Sequence, residues 1–294
     1  MTYTQTTDFE ELLNLLALDP TDADTFTGHH PTKSWKRVFG GQFLAQAVMA
    51  AGRTVTDYER RPLHTLSAHF VRAGSLDEPV SYHVERLRDG RSLASRAVTA
   101  YQGEQVVAVF LAGFQASRAG LEHQVPMPRV PAPQGLPQIA ASFADREGLE
   151  MFSESLMPLD IRYTDAPPWV LQKQGRRPTV CRAWMRADGT LPDAPLIHAA
   201  VLAYASDQTP LDPIVTRYGL AWGADRIVPA TLDHHLWIHR PPRMNAWTLY
   251  ATQSPTAAGS RALVTGQLYT DDGMQIATVT QEDAVLAYRR GTAS

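Results

Sequence analysis

The second half of this chain repeats the element order of its first half, and that repeat limits its fold more than any other feature. In each half a small, apolar, Ala-rich segment is followed by alternating strands joined by tight turns. Arg72 and Arg240, Ser92 and Ser260, and Tyr101 and Tyr269 are each 168 residues apart. A period of that length is far too long for a solenoid and predicts two similar domains packed on one another. Between them, Val125 to Pro137 holds Pro126, Pro128, Pro131, Pro133 and Pro137, too many for a helix interior or a central strand. The expectation is an N-terminal domain over 1–118, a semi-extended Pro-rich linker over 119–165, and a C-terminal domain over 166–294.

The fold class follows from the patterning. Phe9 to Leu18 reads as a short amphipathic helix with Leu12, Leu13, Leu15 and Leu16 on its apolar side, stopped by Asp19-Pro20. Phe43 to Gly52 reads as a buried helix opened by Gly40-Gly41. Strands follow at Val80 to Leu87, Leu93 to Tyr101 and Val106 to Phe114, with turn signals at Asp89-Gly90 and Gln102-Gly103. In the second half Thr179 to Ala187 is a strand, Leu196 to Asp207 a helix, and Leu232 to Leu286 strands again, with the hairpin signal of Asp89-Gly90 recurring at Asp272-Gly273. An antiparallel sheet with one apolar face must cover it, and wrapping round the apolar helix does so. The class is α+β: two duplicated antiparallel sheets, each wrapped round a central helix and joined edge to edge, which hides the edge strands.

The segment Leu196-Ile197-His198-Ala199-Ala200-Val201-Leu202-Ala203-Tyr204-Ala205-Ser206-Asp207 is apolar nearly throughout and ends in a carboxylate. Ala and Leu favour helix, and a helix this apolar is buried on most sides. Its final Asp either turns back into solvent or is a catalytic acid, because an unpaired carboxylate is costly away from water.

Composition excludes several function classes. The formal net charge of −3 favours neither nucleic acid nor an anionic membrane surface. No apolar run approaches the ~20 residues of a membrane span. The single Cys181 excludes an internal disulfide and fits a reducing compartment. The first ten residues lack a basic or apolar leader pattern, so the expected location is cytoplasmic.

Several motifs carry a specific resemblance. Val38-Phe39-Gly40-Gly41-Gln42, Arg86-Leu87-Arg88-Asp89-Gly90, Tyr204-Ala205-Ser206-Asp207, Asp233-His234-His235-Leu236-Trp237-Ile238-His239-Arg240-Pro241 and Gln281-Glu282 together resemble the acyl-CoA thioesterase II family over Phe9 to Leu286. The resemblance implies a double hotdog fold, hydrolysis of acyl-CoA to free acid and CoA without a metal or other cofactor, and a homodimer or dimer of dimers. It also implies that Asp207, Thr231 and Gln281 position and polarise the attacking water. Three departures stand out: Asp283 where the family has Gly after Gln-Glu, Arg72-Ala73-Gly74 in place of Arg-Pro-Gly, and the more polar Gln208-Thr209-Pro210 after Asp207.

The chemistry asks for the same groups. CoA thiolate leaves easily, so a water-activating base matters more than a strong acid. Asp207 can act as that base, with burial raising its pKa from the ordinary ~3.9, while Thr231 and Gln281 fix the water. Gly41 N–H, at the positive end of the first-half helix, is the candidate substrate-binding donor to the thioester carbonyl. Counting nine residues from Phe39, as from His198 to Asp207, reaches Val48, so one active site per chain is expected. Ser92 follows a hairpin turn and enters a strand, not the strand-to-helix elbow of a serine nucleophile. Asp233, His235, Trp237 and His239 share one strand face and His234 the other, which fits packing better than a metal site. Two other readings stay open: a hydratase or dehydratase on acyl thioesters, disfavoured because no His follows Asp207 closely, and a non-catalytic acyl-CoA-binding or regulatory module.

Overall fold

The computed structural model of the chain describes residues 7–34, 36–142, 149, 155–222 and 225–288. Helix α1 (Asp8–Leu16) starts at a capping box: the Glu10 amide donates to the Thr7 hydroxyl and the Thr7 amide to the Glu10 carboxylate. It buries Leu12, Leu15 and Leu16. The helix ends at Leu16 rather than Leu18, because Asp19 and Pro20 already belong to strand β1 (Asp19–Asp22), paired with β2 (Thr25–Gly28). Every β1 residue is exposed, so the sequence carries no alternation to betray that strand.

The first half continues through α2 (Gly40–Arg53), β3 (Leu63–Phe70), β4 (Val80–Asp89), β5 (Leu93–Gln102) and β6 (Gln105–Gln115). The second runs β7 (Leu159–Tyr163), α3 (Pro168–Lys173), β8 (Val180–Ala187), α4 (Pro195–Ser206), α5 (Asp212–Arg217), β9 (Arg226–Ile238), β10 (Thr248–Ala258), β11 (Arg261–Thr270) and β12 (Gln275–Tyr288). The strands form one 12-stranded sheet in the order β1-β2-β4-β5-β6-β3-β9-β12-β11-β10-β8-β7. Outward from its centre the order is the same on both sides, as a duplicated chain requires. The halves join where β3 pairs antiparallel with β9, from Thr65 opposite Trp237 to His69 opposite Asp233. This is the double hotdog arrangement.

The two central helices lie against each other in the core, α2 buried from Gly41 to Gly52 and α4 from His198 to Ser206. They run antiparallel: Gly41 faces the Tyr204 carbonyl at one end, and Gly52 faces Leu196 at the other. A Cβ on Gly41 would lie 2.7 Å from the Tyr204 oxygen, so only glycine lets the start of α2 approach the end of α4 this closely.

Two expectations need correction. The segment 119–165 is not linker throughout, since its last part forms β7, which pairs with β8 from Leu159–Ala187 to Tyr163–Ala183. Its Pro-rich part lies over the outer side of the second half, where Met127, Val130 and Leu136 pack on Trp184, Trp247, Leu249 and Tyr269. Asp272-Gly273 is the counterpart of the Gln102-Gly103 turn, not of Asp89-Gly90. The turn matching Asp89-Gly90 is Gly259-Ser260, both at positive φ as a two-residue hairpin requires.

Candidate active site

Asp207 is the residue immediately after α4, with φ −99° and ψ 4°. It does not turn into solvent: it is 9 % exposed and points across the helix pair at the start of α2. A Cβ added to Gly40 would sit 2.6 Å from Asp207 Oδ2, and the Gly41 amide donates to the Asp207 carboxylate. A carboxylate at a helix N-terminus meets unpaired amides and the positive end of the dipole. From the start of α2 the Gly41 amide thus favours the Asp207 anion, beside the Gly40 and Asp207 part of the cavity wall.

Thr231 and Gln281 reach Asp207 from the sheet, and a register break places them there. Along β9 the core face is held by His234, Leu236 and Ile238, so strict alternation would send Thr231 outward. Glu282 pairs with Asp233, but the next residue, Asp283, pairs with Thr231, leaving Leu232 as an extra residue in β9. That bulge turns Thr231 to the side of Gln281 and Asp283. The Gln281 Nε2 donates to Thr231 Oγ1 at 3.3 Å and to Asp283 Oδ1 and Oδ2 at 3.0 and 3.2 Å, and its side chain also hydrogen-bonds Asp207. The structure thus brings the three expected catalytic side chains together.

Two buried residues outside the expected set of site residues complete the cluster. His234, fully buried, places Nδ1 2.6 Å from Gln281 Oε1 and Nε2 2.9 Å from Ser206 Oγ. Burial pushes its pKa down to about 4, so the ring is neutral, and an Nδ1–H donated to Oε1 orients the Gln281 amide with its N–H groups toward the acids. His234 is not among the residues lining the cavity, which disfavours it as the acid–base partner of a hydratase. The available signal was that it is the one ionisable residue on the apolar face of β9. The second is Asp283, also fully buried, whose carboxylate is bonded by Gln281 and Thr231.

Burial first, and then the nearby Asp283 charge, push the Asp207 pKa up to about 8, against the opposing pull of Gln281, the Gly41 amide and Arg37. Burial likewise raises Asp283, to about 6. A carboxyl tuned upward into the neutral range is a base matched to neutral pH.

The cluster opens into a cavity of about 580 Å³ lined by Asp207, Thr231 and Gln281. Its inner wall includes Leu156, Met157, Ile161 and Leu211, while Lys33, Lys36 and Arg37 lie at its rim. That volume and apolar lining suit a small ligand with an aliphatic portion.

Among the described residues the first half has no equivalent cluster. The 168-residue offset carries Thr231 onto Leu63 and His234 onto Leu66, and Leu66 pairs with Ala112 where His234 pairs with Gln281. The counted equivalent, Val48, falls inside α2; the residue that ends α2 is Thr54, which accepts from the fully buried Arg96. His235 and Trp237 sit on the outer face of β9, stacked at 5.9 Å, with Trp237 39 % exposed. Among the described residues no cluster of three or more His, Cys, Asp or Glu could hold a metal, and no helix is long and apolar enough to cross a membrane.

Comparison with known proteins finds acyl-CoA thioesterases along most of the chain. Residues 29–115 match the acyl-CoA thioesterase N-terminal domain and residues 152–284 match the acyl-CoA thioesterase family. Acyl-coenzyme A thioesterase 8 of Mus musculus is 36% identical, over 92% of this chain and 88% of its own length. Acyl-CoA thioesterase 2 of Haemophilus influenzae is 31% identical, over 93% of this chain and 96% of its own. A solved acyl-CoA thioesterase II from Mycobacterium marinum superposes with a TM-score of 0.76 at 31% identity, covering 96% of this chain and 99% of that one.

Proposed function

This chain belongs to the acyl-CoA thioesterase II family and hydrolyses acyl-CoA thioesters, and on that premise we propose that Asp207, Thr231 and Gln281 carry out the hydrolytic step. The observation that supports this reading most is the convergence of the three side chains, from the residue after α4, from β9 and from β12, on a single cavity.

In this reading the acyl chain lies along Leu156, Met157 and Ile161, and the pantetheine arm leaves past Lys33, Lys36 and Arg37. A water molecule is held between Asp207 and the Thr231–Gln281 pair. Its oxygen forms the new bond to the thioester carbon while its proton passes to the Asp207 carboxylate. The carbonyl electrons move onto oxygen and return as the C–S bond breaks, so the pair departs on the CoA sulfur. Gly41 keeps the base aimed, and the orientation of water and base supplies most of the advantage. The homodimer or dimer of dimers, and the cytoplasmic location, belong to the same reading.

The test is release of CoA thiol from a series of acyl-CoAs, read with a chromogenic disulfide. Asp207→Asn, Thr231→Val and Gln281→Leu should each lower kcat, Asp207→Asn by about 10²- to 10⁴-fold, the range expected for loss of a positioned base. Full activity of Asp207→Asn with a native melting profile would overturn the assignment.

A further inference from the structure

Asp283 lies outside the cavity wall, yet it touches two of the three side chains assigned above. It is fully buried, and its carboxylate accepts from Gln281 Nε2 at 3.0 and 3.2 Å and from the Thr231 hydroxyl. The bulge at Leu232 that turns Thr231 inward is the feature that sets Asp283 opposite it. Among the described residues neither Asp207 nor Asp283 forms an ion pair. Two buried carboxyls on either side of one amide, without a paired cation, cannot both ionise cheaply.

We propose that Asp283 is a positioning residue of the hydrolytic step: it anchors the Gln281 amide and forms with Asp207 a carboxyl pair that holds one proton at neutral pH. The proposal rests on the reading of Asp207 as the base. Gln281 has two N–H hydrogens and is approached by Asp207, Asp283 and Thr231, with its oxygen fixed by His234. One hydrogen held by Asp283 stops the amide from rotating, so the other is aimed at Thr231 and Asp207. The second consequence is electrostatic. The first proton to leave the pair puts a negative charge beside the second carboxyl and tightens its hold on the remaining proton.

Other charged or titratable groups face the pair from each packed element. Asp233 and Glu282 act on Asp283 from β9 and from its own strand, and both hold it up. Neutral His234 lies on β9 beside Gln281. Arg37, ahead of α2, favours the Asp207 anion. Tyr250 of β10 donates to the Ser206 carbonyl, and burial first and then both acids raise its pKa; burial and, after it, Asp8 and Asp207 likewise raise Tyr204 of α4. Of the acids facing Asp207, only Asp283 is both fully buried and bonded to the Gln281 amide.

The experiment is the pH profile of kcat and kcat/KM for wild type, Asp283→Asn, Asp283→Gly and Asp207→Asn with one long-chain acyl-CoA. Asparagine keeps an acceptor for Gln281 but removes the charge. Asp283→Asn should move the acid limb down by about one pH unit or more, the coupling expected of an interacting pair, with KM within twofold. Asp283→Gly should show that shift and also lose kcat, because the amide loses its anchor. An unmoved acid limb in an active Asp283→Asn enzyme overturns the proposal. Should Asp207→Asn stay active, the assignment of the base fails instead, and the two failures are thereby distinct. A ¹³C carboxyl titration of the wild-type protein needs no variant to fold: two Asp steps separated by more than one unit support the pair, and coincident steps near pH 4 overturn it.

Discussion

Asp207→Asn is expected to make the protein more stable while it destroys activity, and the size of that effect follows from burial. In the unfolded chain this carboxyl ionises near 3.9; in the folded chain it keeps its proton up to about 8. Between those values the unfolded state has released a proton that the folded state still binds. Stability therefore falls as pH rises through this window and is restored below pH 4. At pH 7 about three pK units separate the two states, which at 1.36 kcal/mol each sets an upper limit of about 4 kcal/mol. Asparagine never ionises, so it escapes this cost, but it accepts less strongly from the Gly41 amide. The net gain should be about 2–4 kcal/mol at pH 7, or roughly 5–10 °C in Tm. Thermal melts of both proteins from pH 4.5 to 8 measure it. The difference should grow with pH and nearly close at the acid end. A variant no more stable than wild type at pH 7.5, or equally more stable at every pH, would refute the claim that burial holds this carboxyl neutral.

Three further outcomes follow from particular contacts. Gly40→Ala should lower kcat about tenfold or more with a loss of about 1–3 kcal/mol in a urea melt, because its new Cβ would stand 2.6 Å from Asp207 Oδ2. His234→Ala should lower kcat with KM little changed, and His234→Asn, which keeps a donor for Gln281 Oε1, should recover part of the loss. Arg96→Met should destabilise by about 3 kcal/mol in the same melt, because it strips buried hydrogen bonds from the Thr54 hydroxyl and carbonyl and from the Arg88 and Ser95 carbonyls, and unpairs Asp89.

The raised pKa values and the stability cost belong together. Asp207 is held by Gly41 and Gln281 yet buried against a second acid, so part of the folding free energy is given up to keep a base in the neutral range. The duplicated architecture makes room for this asymmetry. One half of the pseudo-symmetric sheet holds Thr231, His234 and Gln281, while the matching positions of the other half, Leu63, Leu66 and Ala112, pack as ordinary core.

The repeat and the family resemblance were legible from residues compared along the whole chain, whereas local patterning was enough to read the buried α4 and the inward turn of His234. The latter two depend on residue type and on periods of two or 3.6, which each stretch carries by itself. The outward-facing β1, the strand at Leu159–Tyr163 and the bulge at Leu232 could not be read that way, because each exists only through its pairing with a distant strand. That one unpaired residue in β9 brings Thr231 and Asp283 together beside Gln281, and the close approach of α2 to α4 gives the Gly41 amide to Asp207. Sequence determined which groups the chain owns and which face its regularly alternating strands turn inward. Only the tertiary structure decided which acid meets which amide, because cross-strand register and helix approach are set by contacts between residues far apart in the chain.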